Sequence, residues 1–296
     1  MTPDTVAVAL VTRNAAAWID GLLDSIQSQS RAPDRIVVVD DRSTDDTVDR
    51  IRRSCGSLVA ILPSVSTGSR SIDRIADNFT QAVRACSSCD LVILGDHDDT
   101  WHPDRIAHQS RILSAATGKR PLMVASDGRL TDEVGHPTGA TLRSHFWLPG
   151  ARNLTDVEAL RMTLTHLVAT GGASAIRPAG FPSLEVPRGW LHDRWWSLVA
   201  AAQGGLIVDD ALVIDYRVHP GQQAGLDRAS HGSRSREKLL RVGPLTGARK
   251  LLDLRRVLRP QASNVELARE LDLLSLARTM GFLPARIDHV GRDAQP

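Results

Sequence analysis

Leu91-Val92-Ile93-Leu94-Gly95-Asp96-His97-Asp98-Asp99-Thr100-Trp101 places an acidic cluster directly behind a short apolar run. Four apolar residues closed by Gly and Asp predict a buried strand that delivers carboxylates to its carboxyl edge, where open α/β sheets bind ligands. Three aspartates within four residues repel one another unless a cation or donor groups compensate, and hard divalent ions such as Mg²⁺ or Mn²⁺ take oxygen ligands. The cluster therefore predicts a metal and diphosphate site. The alternative is a polar turn capping the helix that Pro103 starts.

Outward from this stretch, apolar strand candidates at residues 6–11, 36–39, 58–62, 91–94 and 122–125 alternate with helical patterns at 15–29, 45–53 and 72–85. Such alternation predicts right-handed βαβ units on a mostly parallel sheet, an α/β fold. Trp18, Ile19, Leu22, Leu23 and Ile26 recur at helical spacing as core residues, with Asn14 as the cap. Residues 127–151, rich in Gly, His and Pro, read as a functional loop over the sheet edge. From Arg188 a helix through Ala202 is expected, then strands at 206–208 and 212–216. Beyond Arg228 the pattern is helical, with breaks at Pro244, Pro260 and Pro284. These shifts predict a catalytic domain over 1–228 and a basic helical extension over 229–296.

The 296 residues, 42% of them hydrophobic, are enough for a substantial core. The amino terminus has no basic leader followed by an apolar core, and no run approaches the roughly 20 apolar residues that span a bilayer, so the cytoplasm is the expected compartment. Cys55, Cys86 and Cys89 are too few for an all-cysteine zinc site and read as incidental thiols. The net charge of +2 conceals a basic stretch over 228–259, where ten Lys or Arg accompany only Glu237 and Asp253. That stretch is either a solvated helix face or a contact for an anionic membrane surface; nucleic acid is the weaker option.

Four segments together resemble the family 2 glycosyltransferases, whose nucleotide-sugar-binding fold is called GT-A. They are Val8-Ala9-Leu10-Val11-Thr12-Arg13-Asn14, the run Ile36 to Thr47 with Asp40-Asp41-Arg42-Ser43, the Asp96 to Asp99 cluster, and the pair His192-Asp193-Arg194-Trp195-Trp196 and Tyr216-Arg217-Val218-His219. The last pair is similar to bacterial rhamnosyltransferase-like members. The likeness covers roughly residues 5–226.

The resemblance implies a role for each segment. Asp40 or Asp41 would accept the N3 proton of a pyrimidine base, with Thr12, Arg13 and Asn14 as the adjacent wall; the competing role for both aspartates is helix capping. Asp98 would hold a Mn²⁺ or Mg²⁺ ion, with Asp96 reaching ribose or metal and His219 as a further ligand. Arg217 would close over the leaving diphosphate. Asp193 is the expected general base, against the alternative of a helix cap. Gly171, Gly172, His192 and Trp195 are expected on the acceptor side, and His97 is left unassigned. Two departures stand out: Arg42 occupies a turn position that usually carries Gly, and Arg13 replaces the usual aromatic.

The implied activity is inverting, metal-dependent transfer of a sugar, rhamnose from a dTDP donor being the specific guess, to a hydroxyl of a glycan, lipid-linked or small-molecule acceptor. Sugar nucleotidylyltransfer is an alternative, but it needs a Gly-rich basic loop after the first strand, and residues 12–17 have none. A noncatalytic adaptor binding membrane or nucleic acid through the basic tail is a third option, opposed by Asp98 and Asp193.

Overall fold

Strand β1 (Val6–Thr12) is buried at every residue, and its alternation divides the molecule into two cores. Ala7, Ala9 and Val11 point to one cluster, while Val6, Val8 and Leu10 point to the other. Flanking strands β2 (Arg35–Asp40) and β4 (Leu91–Asp96) divide in the same way. Helices α1 (Ile19–Gln27), α2 (Thr47–Cys55) and α4 (Arg105–Ser114) cover one face, and α3 (Ser71–Ala85) covers the other. Parallel strands covered on both faces read as continuous apolar runs, which is what these sequences are.

The computed structural model describes residues 4–115, 122–146, 154–222 and 244–280. The remaining strands are β3 (Val59–Pro63), β5 (Thr100–Trp101), β6 (Met123–Thr131), β7 (Pro137–Thr141), β8 (Ser174–Ile176) and β9 (Leu206–Arg217). The sheet runs β3-β2-β1-β4-β8-β6-β9-β5, with β7 paired to β6. Its first four strands are parallel, as is the long β6–β9 pair, whereas β8 runs antiparallel to both neighbours. This mixed α/β sheet, mostly parallel by register, has the arrangement that the resemblance to GT-A proteins implies.

Register places the site. Thr12 lies beside Asp40, and Val11 beside Asp96, so the carboxyl ends of three adjacent strands converge. Because β8 enters antiparallel from that same edge, the turn Gly171–Ala173 before it lies against β4.

Several local expectations need correction. Asn14 caps no helix: α1 begins at Ile19, Trp18 occupies the cap position, and Asn14 sits at φ 49 with its side-chain oxygen accepting from Thr44 N. Much of the expected loop at 127–151 is strand, because β6 continues to Thr131 beside β9 and folds back into β7. β7 shows no apolar alternation because its first residues are exposed at the edge. The two strands expected at 206–208 and 212–216 are one strand, β9, with a register irregularity against β6.

After α5 (Leu142–Phe146), α6 (Asp156–Thr165) and α7 (His192–Ala202), the described part of the carboxyl-terminal extension forms α8 (Pro244–Leu258), α9 (Val265–Glu270) and α10 (Leu273–Thr279). Pro244 opens a helix here, the position at which its missing N–H costs nothing. Leu251, Leu254 and Leu258 recur along one face of α8 and join the core that holds Trp195, Trp196 and Leu198 of α7. Arg255, Arg256 and Arg259 face outward, and the more amino-terminal part of the basic stretch, 228–243, lies outside the described residues. None of the described helices is long and apolar enough to cross a membrane.

Leu254 is fully buried, so Leu254→Ala should destabilise the whole chain by about 2–5 kcal/mol, the usual cost of a buried leucine truncation. Urea unfolding followed by both near- and far-ultraviolet circular dichroism should show one transition at a lower midpoint; an unchanged midpoint would separate the extension from the core.

Candidate active site

A cavity of about 750 Å³ opens at the carboxyl edge of β1 and β4, a volume suited to a nucleotide-sized ligand. Its walls include Thr12, Arg13, Asn14, Asp41, Asp96, Asp98, Gly171, His192, Asp193 and His219, so residues up to 207 positions apart in the chain meet there. Asp40, Gly172, Trp195 and Arg217 do not line it.

The aspartates after β4 are held by different means. Asp96 is pushed up to about 7 by burial, with Asp98 and Asp193 adding negative charge and a hydrogen bond from Gly172 N opposing the shift. Burial drives Asp99 well above the usual carboxylate range, and the Asp98 and Asp96 charges add to it. Its Oδ1 accepts from Arg217 N at 3.2 Å, while its buried Oδ2 has no partner. Burial also opposes ionisation of Asp98, but the hydrogen bond from His219 and the two nearby imidazoles outweigh it and hold that carboxyl low. Gly172 is required beside them, since a Cβ there would stand 2.4 Å from Asp99 Oδ2 and 3.1 Å from Asp96 Oδ2. Arg105, fully buried on α4, is the compensating charge: its Nη2 donates to Leu94 O at 2.6 Å, and its guanidinium lies 3.9 Å from the Trp101 ring centroid. Burial lowers it to about 9, against the pull of Asp99 and Asp96. Trp101 is a buried packing residue.

On the β2 side the paired aspartates have separate tasks. Asp40 accepts from Thr12 Oγ1 at 3.1 Å, Ser43 N at 2.9 Å and Ser43 Oγ at 2.6 Å, so its carboxylate is spent on the turn. Asp41 faces the cavity, with Arg13 Nη1 at 3.3 Å and Arg74 Nε at 3.2 Å on Oδ2, while its buried Oδ1 accepts no hydrogen bond and has Arg42 Nη1 at 4.0 Å. An unpartnered buried acceptor is a binding opportunity, because leaving it unmet costs about 1–3 kcal/mol. Arg42 adopts φ 59, the left-handed region that glycine enters without strain, and its Nη2 holds Ser66 O at 2.9 Å.

Asp193 stands in the first turn of α7, where its Oδ1 accepts from Arg194 N at 2.6 Å and Oδ2 from Gly171 N at 3.1 Å. Burial outweighs those bonds and raises it to about 6. Its neighbour His192 stacks on Phe79 at 3.8 Å, and neither ring nitrogen has a partner. Burial lowers His192 to about 3, so the imidazole is neutral and ready to donate or accept a hydrogen bond. Trp195 instead packs in the core against Trp190, and of these two it is Trp190 that reaches the cavity.

His219 Nδ1 accepts from Gly221 N at 3.2 Å, which leaves Nε2–H to donate to Asp98 Oδ2 at 3.0 Å. Among the described residues no three His, Cys, Asp or Glu side chains converge as a complete metal cage. Asp98 nevertheless presents a carboxylate with His219 beside it, and the imidazole would join an ion only by giving up the Nε2 proton it shares with Asp98; Mg²⁺-like ions are commonly held by one or two protein groups plus substrate phosphates. The donor set therefore fits a divalent ion that binds together with a diphosphate. Arg217 is not free for phosphate: its Nε donates to Asp98 O at 3.0 Å and its Nη1 to Glu133 O at 3.0 Å, so it braces the acidic loop from behind.

Three contributors escape the sequence reading. Trp18, expected in the core, is only partly buried and lies in the cavity, its ring 4.2 Å from that of His219. His97 also turns inward, with Nδ1 3.3 Å from Val11 O. Arg105 could have been suspected from Arg105, Gln109 and Leu113, a helical stripe mixing polar and apolar residues.

Residues 7–117 match the family described as Glycosyl transferase family 2. A curated relative, the dTDP-rhamnosyl transferase RfbG of Shigella flexneri, is 30% identical over 102 residues, which span 33% of this chain and 34% of that protein. Among solved structures, S. aureus TarS 1-349 in complex with UDP-GlcNAc is similar at a TM-score of 0.56 and 14% identity, covering 94% of this chain and 90% of that one. The mannosyltransferase PcManGT from Pyrobaculum calidifontis, in complex with GDP-Man and Mn²⁺, is similar at 0.50 and 19%, covering 96% and 78%.

The raised Asp193 predicts a pH signature. A carboxyl at about 6 when folded and near 3.8 when unfolded keeps its proton longer in the folded state, so its contribution favours folding in acid and turns against it as pH rises from about 4 to above 6. Asp193→Asn removes that dependence. Its stability relative to the unaltered chain should therefore improve by about 1–3 kcal/mol between pH 4 and pH 8, measured by urea unfolding at each pH. A constant difference across that range would contradict the burial-driven shift.

Proposed function

We propose that this chain, whose residues 7–117 form a family 2 glycosyltransferase domain, moves a sugar from a nucleoside diphosphate donor to an acceptor hydroxyl with inversion at the anomeric carbon. The observation that carries the proposal is one cavity lined by Asp41, Asp98 and Asp193, which supplies a base-binding acceptor, a diphosphate edge and a buried general base together. The relative of Shigella flexneri makes dTDP-rhamnose the first donor to try.

In this mechanism Asp41 Oδ1 accepts the N3 proton of the pyrimidine, while Arg13, tethered to the same carboxylate, forms the adjacent wall. Asp98 and His219 would hold a Mn²⁺ or Mg²⁺ ion with Asp96 beside them; when bound, such an ion neutralises the leaving diphosphate. Asp193 takes the proton of the acceptor hydroxyl as that oxygen bonds to the anomeric carbon, and the bond to the diphosphate oxygen breaks on the opposite side. The electron pair leaves with the nucleoside diphosphate. At neutral pH a carboxyl near 6 is ionised yet still basic, the compromise a general base needs. Gly171 N and Arg194 N fix its orientation, and Arg217 and Arg105 keep the acidic loop in place. A cytoplasmic location accords with a charged nucleotide donor.

Asp98→Asn should abolish metal-dependent binding of dTDP in titration calorimetry with Mn²⁺, with the fold intact by circular dichroism. Unchanged affinity with unchanged metal dependence would remove Asp98 from the diphosphate edge. Asp193→Asn should keep donor affinity and lose turnover by about 10²- to 10⁴-fold, the contribution of a general base, and product NMR should show an inverted anomeric centre. Near-normal turnover would return Asp193 to the role of helix cap.

A further inference from the structure

The carboxyl-terminal extension reaches the cavity with one side chain. Lys250, on α8, lines the wall that also holds Trp190, Asp193 and Arg194, and its Nζ stands 4.8 Å from a Trp190 ring centroid. Burial and then the charges of Arg194 and Arg70 work against its protonation, and no carboxylate offsets them. Arg70 is already paired with the buried Asp73 through Nε at 2.9 Å and Nη2 at 3.1 Å. Arg194 spends its guanidinium on the carbonyls of His166 and Leu164. Among the described residues no hydrogen bond or ion pair joins Lys250 to an acid. A partly buried ammonium beside two guanidiniums is unfavourable on its own, and an anion arriving from solution relieves it.

The diphosphate of the donor belongs at the Asp98–His219 edge, so the anion at Lys250 comes from the other substrate. Resting on the glycosyl transfer proposed above, we propose that Lys250 and Trp190 form an acceptor subsite for an oxyanion, a phosphate or carboxylate carried near the hydroxyl that receives the sugar. The buried indole holds the ammonium at the cavity wall through its ring, and the ammonium supplies the charge. The extension thereby sets acceptor choice.

Three probes test this on the full chain by titration calorimetry, each with and without saturating dTDP and Mn²⁺: glucose 1-phosphate, glucuronate and neutral methyl glucoside. The two anionic sugars should bind at least about tenfold more tightly than the neutral one, a difference of about 1.4 kcal/mol. Whichever anion binds more tightly identifies the phosphate or the carboxylate as the native group. Lys250→Met should erase that preference and leave dTDP affinity unchanged, while Lys250→Arg should keep it. Equal binding of all three probes, or a preference that survives in Lys250→Met, would overturn the subsite. Failure of dTDP to bind, with the Lys250-dependent preference intact, would instead sustain the subsite and reject the nucleotide-sugar donor.

Discussion

Three carboxylates at the end of one buried strand must be held against their own repulsion, and much of the surrounding structure answers to that constraint. Arg105 is carried into the interior on α4 to offset Asp96 and Asp99. Gly172 has no side chain because any Cβ would collide with the same two carboxylates. Gly95 is small for a related reason: a Cβ there would come within 2.5 Å of Leu10 and 2.8 Å of Trp101, closing the approach of β1 to the acidic turn. The loop after β9 supplies the remaining compensation, with Arg217 N on Asp99 and His219 on Asp98. Repulsion is thus met by a buried cation, backbone donors and an imidazole, each from a different element.

That arrangement explains which parts of the site were legible in the sequence. Runs such as Ile36 to Val39 announce their strands because both faces are buried, and the aspartates that end them stand where strand ends must be. Asp193 was legible only through the family resemblance, and its place in the first turn of α7 accords equally with a helix cap. The division of labour between Asp40 and Asp41 was not, because it depends on which side chain Ser43 and Thr12 capture in three dimensions. Arg217, expected over the diphosphate, turns instead to carbonyls at Asp98 and Glu133, partners 119 and 84 positions away that no local pattern announces. Trp18 shares helical spacing with true core residues, but it stands at the N-cap of α1, beside the cavity and the ring of His219. Edge strand β7, exposed and without alternation, carries no pattern to detect.

Arg42 shows how a local departure can be tolerated. A non-glycine residue in the left-handed region pays roughly 1–2 kcal/mol, yet the side chain gained there reaches Ser66 O at 2.9 Å and approaches Asp41 within 4.0 Å. The turn keeps the backbone that glycine would provide and adds a positive charge beside the carboxylate proposed to read the base.

The shared core has a consequence for how the chain is made. Phe79 and Val83 on α3 belong to the same apolar cluster as Leu254, Leu258 and Leu276, which are translated much later. The amino-terminal half therefore emerges with part of its apolar face waiting for partners translated much later, and early domains generally fold as they appear. Lys250 arrives with those late partners. Until then a nascent chain can shape the acidic edge of the cavity but has neither the complete wall nor the charge at its far side, so both sides of the cavity exist together only once α8 has been translated.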